Sequence, residues 1–132
     1  MPLVHISLLK GMAREHIRAI SDGVHQALVE TYSVPADDHF QLIRQYDPNE
    51  FIYDPDYLGI HRTENVVFIH IVASNWRDTP TKKELYHAIA DRLSKNPGLR
   101  QEDVLVVISP NQQEDWSFGN GLAQYVKDTD PA

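Results

Sequence analysis

Apolar and polar residues alternate in the first segment, where Val4, Ile6 and Leu8 interleave with His5 and Ser7. Period two predicts a strand over residues 3–9. Lys10-Gly11 breaks it, and the period then changes. Ile17, Ile20, Val24, Leu28 and Tyr32 recur at steps of three and four, which predicts a helix over residues 12–32. Val34-Pro35 ends that helix, because proline disfavours helical backbone in the residue before it. A second strand is predicted over 40–46. Residues 47–64 carry Pro48, Pro55 and Gly59 around Phe51-Ile52-Tyr53, which reads as a loop with a short hairpin. Residues 66–73 (VVFIHIVA) are nearly all apolar and β-branched, as in a strand covered on both faces by parallel pairing. Thr79-Pro80 and the box Thr81-x-x-Glu84 signal a helix start, Leu85, Ile89 and Leu93 form its stripe, and Asn96-Pro97-Gly98 ends it. A fourth strand is predicted over 104–109 (VLVVIS), and residues 111–132 hold turn residues, an aromatic cluster and a polar end.

The order is strand–helix–strand, a connector, then strand–helix–strand. Val4 and Phe68 take corresponding places in the two halves, as do Asp38 and Asp103 ahead of the second and fourth strands. This pattern suggests internal duplication within a single domain spanning 1–132: repeats near 2–46 and 66–110, a connector at 47–65 and a closing segment at 111–132. The fold class expected is α+β, a four-stranded sheet with two helices on one face. The other face is then bare, and copies of the chain are expected to bury it against one another.

Composition narrows the chemistry. The chain has 132 residues and no cysteine, which excludes disulfides, thiolate metal sites and Cys nucleophiles. Twelve Lys and Arg against 19 Asp and Glu give a net charge of −7, which argues against a nucleic-acid partner. No apolar run reaches the roughly 18 residues of a membrane span. No basic-then-apolar leader precedes the first strand, so a cytoplasmic location is expected. The seven histidines show no metal-ligand spacing: His5 and His70 fall on strands, His25 and His87 on helices, and His25 flanks its helix's apolar stripe with no function assigned. No metal and no cofactor is expected. Phosphate-loop and serine-hydrolase motifs are absent.

Met1-Pro2 leads straight into the first strand. A small second residue permits removal of the initiator methionine, which leaves Pro2 with a free secondary amine. A neutral amine can take a proton or attack a carbonyl, and a protonated one can polarise a carbonyl. If Met1 stays, that nitrogen is an amide, and the chain reads as a non-enzymatic oligomeric binding protein.

Pro2-Leu3-Val4, the long first helix and the turn Val34-Pro35-Ala36-x-Asp38 resemble the tautomerase superfamily. The tail Glu114-Asp115-Trp116-Ser117-Phe118-Gly119 is similar to malonate semialdehyde decarboxylase and its relatives. The resemblance implies fused β-α-β units in a mixed sheet, a homotrimer and a cofactor-free site built on the amino-terminal proline. It implies catalytic roles for Pro2, Asp38 and Arg77, and substrate binding by Arg77, Trp116 and Phe118. The decarboxylase pattern has two arginines one residue apart after the third strand. Here the segment is Ser74-Asn75-Trp76-Arg77, so only Arg77 is a counterpart and the first arginine is missing. A guanidinium suits a small carboxylate substrate. Trp116 and Phe118 are equally suited to packing and to keeping a pocket dry, and Tyr125 is a weaker candidate. The reaction implied is decarboxylation of a 3-oxo acid such as malonate semialdehyde to acetaldehyde and carbon dioxide. Hydration or dehalogenation of 3-haloacrylate-type or acetylenic acids, and keto–enol tautomerisation, use the same parts.

Overall fold

Four strands and two helices form in the expected order in the computed structural model, which describes residues 2–127. They are β1 (Pro2–Leu9), α1 (Arg14–Tyr32), β2 (Gln41–Tyr46), β3 (Val67–Ser74), α2 (Thr79–Lys95) and β4 (Val104–Asn111). The sheet order is β2-β1-β3-β4. β1 pairs parallel with β2, β3 pairs parallel with β4, and β1 and β3 run antiparallel at the centre. Each parallel pair encloses its helix as a crossover, so the sheet is mixed.

Register decides which residues are buried. Val4, Ile6 and Leu8 share a face with Ile71, Ile69 and Val67, and all six are almost inaccessible. The apolar stripes of α1 (Ile20, Val24, Leu28, Tyr32) and α2 (Leu85, Ile89, Leu93) close over that face. The helices approach closely at Gly23, where an added Cβ would lie 2.8 Å from Leu93 Cδ2. The opposite face is not covered by helices. His5 aligns there with Leu42, His70 and Val107, and Leu42 and Val107 are 58% and 49% exposed. β3 is thus packed on one face by the helices and only half-buried on the other, whereas its composition suggested cover on both.

Two local expectations are corrected. The connector contains no hairpin. It forms 3-10 turns at Pro48–Glu50 and Tyr57–Gly59, and Phe51 stacks on Phe68 (centroids 4.6 Å apart) to cover one end of the outer face. Strand pairing here gives way to a loop braced by Arg62, whose Nη1 donates to the carbonyls of Asp54, Tyr57 and Ile60. Second, α2 is capped by Asp78 rather than by Thr81: the Asp78 carboxylate accepts from Thr81 N at 3.0 Å and from Thr81 Oγ1 at 2.7 Å. No helix among the described residues is long and apolar enough to cross a membrane.

Candidate active site

The strand directions bring four chain segments to one edge of the sheet. β1 and β2 begin there, and β3 and β4 end there. Pro2 opens β1 opposite Ala73 and is buried. The turn before β2 carries Asp38, whose N–H donates to the Pro35 carbonyl at 3.0 Å. The loop after β3 carries Arg77, and the segment after β4 carries Trp116, Phe118 and Tyr125. Met1 lies outside the described residues.

Arg77 is 8% exposed, which is uncommon for a charged side chain. Its guanidinium carbon lies 4.4 Å from the Tyr32 ring centroid and 3.8 Å from that of Trp76. Rings at these distances attract a cation through their π faces. Nη2 donates to the Tyr32 carbonyl at 2.9 Å. Burial lowers the Arg77 pKa, and the opposing pull comes from Tyr32, Tyr125 and Asp38. Nε of Arg77, Oγ of Ser74 and the hydroxyl of Tyr32 are buried without a hydrogen-bond partner. Two such atoms beside a cation whose own Nε is also unpaired concentrate unmet polarity at one place, and buried unmet polarity calls for an explanation such as a functional role.

A hollow of about 270 Å³ is lined by Pro35, Asp38, Ser74, Trp76, Arg77 and Tyr125, among others. A neighbouring hollow of about 280 Å³ shares Pro35, Asp38 and Tyr125 with it and adds Phe40 and Phe118. Asp38 and Arg77 therefore face one space. Burial raises the Asp38 pKa above the usual carboxylate range, with Asp37 acting in the same sense and His25 and Arg77 against it. Burial likewise raises that of Tyr125, with the Asp38 charge adding to the shift. A hollow of about 470 Å³ beside the connector is larger, but its charged groups are already engaged. Arg62 is held by three carbonyls there, and Glu102 pairs with Arg100.

Of the residues singled out in the sequence, Asp38 and Arg77 meet at the first hollow and Phe118 lines the second. Trp116 lines neither. It stacks on Phe118 (centroids 5.5 Å apart), and its Nε1 donates to Asn111 Oδ1 at 2.7 Å. Pro2 lies at the same sheet edge and lines neither hollow. Tyr125, a weaker candidate in the sequence, packs edge-on against Phe118 and borders both hollows. Two residues take a place at the site only in the structure: Ser74 and Tyr32 frame Arg77. Tyr32 had read as part of a helix stripe, and a stripe position gives no sign that its carbonyl and ring hold a cation.

A model described as tautomerase enzyme matches residues 38–119, and another with the same description matches residues 2–61. The chain belongs to the tautomerase superfamily. This tautomerase relative is 45% identical, over 127 residues, to the probable tautomerase YusQ of Bacillus subtilis (strain 168), a match spanning 96% of this chain and 100% of that protein. It is similar in structure to FG41 malonate semialdehyde decarboxylase inhibited by 3-bromopropiolate, with 41% identity, a TM-score of 0.88 and 93% of each chain covered. A malonate semialdehyde decarboxylase studied for its decarboxylase and hydratase activities also matches, at 30% identity and a TM-score of 0.88, over 93% of this chain and 95% of that one. These matches span both β-α-β units and the segment after β4, so the tautomerase fold extends over nearly the whole described chain.

Proposed function

We propose that this tautomerase superfamily member decarboxylates a small 3-oxo acid, with malonate semialdehyde as the best candidate, using the secondary amine of Pro2 after removal of Met1. The observation that carries the reading is the buried Arg77, sandwiched between Tyr32 and Trp76 and facing Asp38 across a small hollow at the edge where β1 begins. A hollow of about 270 Å³ suits a molecule of a few heavy atoms better than a large ligand. The similarity to two malonate semialdehyde decarboxylases supports the substrate class.

In this reading the Arg77 guanidinium holds the substrate carboxylate and turns the breaking C–C bond toward the carbonyl π system. Bond cleavage releases carbon dioxide and sends its electron pair to the aldehyde oxygen. Protonated Pro2 donates a hydrogen bond to that oxygen as charge develops there. The resulting enolate takes a proton at carbon to give acetaldehyde. Asp38 orients the Pro2 ammonium. Phe118, backed by Trp116, keeps water from the site, and Tyr125 closes its rim. Ser74 or Asn75, both neutral, stands where the first arginine is missing, so the carboxylate meets one fixed cation.

Keto–enol tautomerisation is the second reading, favoured by the name of the 45% identical relative. Protonation of Pro2 separates the two: a cation serves decarboxylation and a neutral base serves tautomerisation. The test is proton NMR of the purified protein with malonate semialdehyde and, in parallel, a 2-hydroxydienoate. The expected result is conversion of the first to acetaldehyde, abolished by Pro2→Ala. Turnover of the dienoate alone overturns decarboxylation, and full activity of Pro2→Ala overturns the role of the amine.

A further inference from the structure

The hollow that holds Arg77 adjoins a second one of different character. The first, of about 270 Å³, takes its polar lining from Arg77, Ser74 and Asp38. The second, of about 280 Å³, shares Pro35, Asp38 and Tyr125 with it and adds the rings of Phe40 and Phe118. Among the described residues that line the second hollow none is cationic, and Asp37 and Asp38 repel a second negative charge there. Asp37 is exposed and its charge stays in water, so the rings set the character of the wall. A ligand that spans both hollows carries its one carboxylate at Arg77 and ends in an uncharged, apolar group.

The walls of the second hollow are fixed from both sides. Tyr125 meets Phe118 edge-on with centroids 4.9 Å apart, and Trp116 stacks on Phe118 at 5.5 Å. The Phe118 N–H donates to Gln124 Oε1 at 2.9 Å, and Gln124 Nε2 donates to the Gly119 carbonyl at 2.9 Å, so one side chain clasps this stretch of backbone. Opposite, the Phe40 carbonyl accepts from Val4 N at 3.1 Å, and His25 Nε2 lies 2.9 Å from the Ala36 carbonyl, which ties the turn to α1. Yet Phe40 is 51% exposed and Phe118 38%. Two rings held in place at a concave surface, and left half-open to water, are suited to cover an apolar group without reorganising.

We propose that the second hollow is a subsite for the tail of the substrate, so that the acid accepted here is a 3-oxo acid with a short, uncharged alkyl group on its carbonyl carbon, R–CO–CH2–COO−. The proposal rests on the reading of Arg77 as the carboxylate anchor of a decarboxylase and deepens it by naming the substrate class. The bond between the carboxylate and its neighbouring carbon breaks, carbon dioxide leaves, and the electron pair goes to the carbonyl oxygen. The enolate then takes one proton from solvent at that carbon to give the methyl ketone R–CO–CH3. The tail contributes binding alone.

The experiment is an NMR titration of the full chain with straight-chain carboxylates from propanoate to hexanoate. Burying a methylene is worth up to about fourfold in Kd, so Kd is expected to fall about two- to fourfold with each added carbon. Intermolecular NOEs from the hexanoate methyl are expected on the rings of Phe40 and Phe118. Phe40→Ala is expected to flatten the series, and Phe40→Leu, which keeps an apolar wall, to restore most of the slope. In turnover, kcat/KM for 3-oxohexanoate is expected to exceed that for 3-oxobutanoate about tenfold. A flat series, turnover of the two acids at equal kcat/KM, or a hexanoate methyl that contacts neither ring overturns the proposal. So does tighter binding of 4-aminobutanoate than of the isosteric pentanoate, which would make the hollow a cation site. A sloped series in a protein that decarboxylates neither these acids nor malonate semialdehyde overturns the decarboxylase reading instead and leaves the tail subsite standing.

Discussion

Arg77 is the residue proposed to hold the substrate carboxylate, and its environment predicts how substitutions behave. The cation is clamped between two rings, with Nη2 on a main-chain carbonyl. Lysine keeps the charge but loses the planar stack and the fork. Both Arg77→Ala and Arg77→Lys are therefore expected to lower kcat/KM for the 3-oxo acid by about 100-fold or more, roughly 3 kcal/mol of lost transition-state binding. Steady-state kinetics checks this, and a lysine variant within a few-fold of wild type would show that charge alone suffices. At Asp38, burial raises the folded pKa above the unfolded one. The stabilisation this gives is complete below the unfolded pKa and is lost as pH rises through the folded value. At neutral pH the ionised carboxylate weakens the fold, so Asp38→Asn is expected to raise Tm at pH 7 and to lose that advantage by about pH 3. Thermal melts at the two pH values test the sign. Asp38 and Arg77 were legible in the sequence as site candidates through the resemblance, which places the turn Val34-Pro35-Ala36-x-Asp38 and the arginine after the third strand at its site. His25 was not, because a histidine at the flank of a helix stripe looks the same whether it touches solvent or pins a turn. Asp103, ahead of β4, shows the contrast with Asp38: it is fully buried and bonded by Thr63 N and Oγ1, both at 2.6 Å, in a structural role.

Element by element, periodicity located all four strands and both helices, and boundaries moved by one or two residues. The α1 start moved from 12 to Arg14 and the end of β4 from 109 to Asn111. The connector was misjudged because its aromatic run satisfies a strand pattern while its backbone is taken up by turns. Leu58 adopts a positive φ of 63°, and Arg62 absorbs three carbonyls that a hairpin would have paired. The cap of α2 was misplaced by three residues, since Thr81 and Asp78 both fit a capping rule and only Asp78 receives the Thr81 N–H. Asp78→Ala is expected to destabilise the protein measurably, because the side chain that caps the helix is lost. Glu84→Ala, at the unused end of the anticipated box, should cost no more than about 0.5 kcal/mol, as for other surface changes. Urea unfolding of the two variants makes the comparison, and equal losses would argue against the Asp78 cap.

The whole molecule presents an unfinished surface. The outer face of the sheet carries Leu42, Leu105 and Val107, exposed at 58, 37 and 49%, around the stacked pair His5 and His70. A homotrimer closed over these faces is our proposal for how they are covered, on the strength of the resemblance and of the apolar area. Leu42→Asp with Val107→Asp is expected to shift the sedimenting species to the mass of one chain. A wild type that already sediments as a monomer would refute it. The mechanism proposed at the edge where β1 begins uses the amine of Pro2 as its reacting group. Its most direct test is mass spectrometry of the intact protein and of its amino-terminal peptide after exposure to 3-bromopropiolate. Loss of Met1 and a covalent adduct on Pro2 are the expected result. A retained Met1, or an adduct elsewhere with Pro2 unmodified, would contradict it.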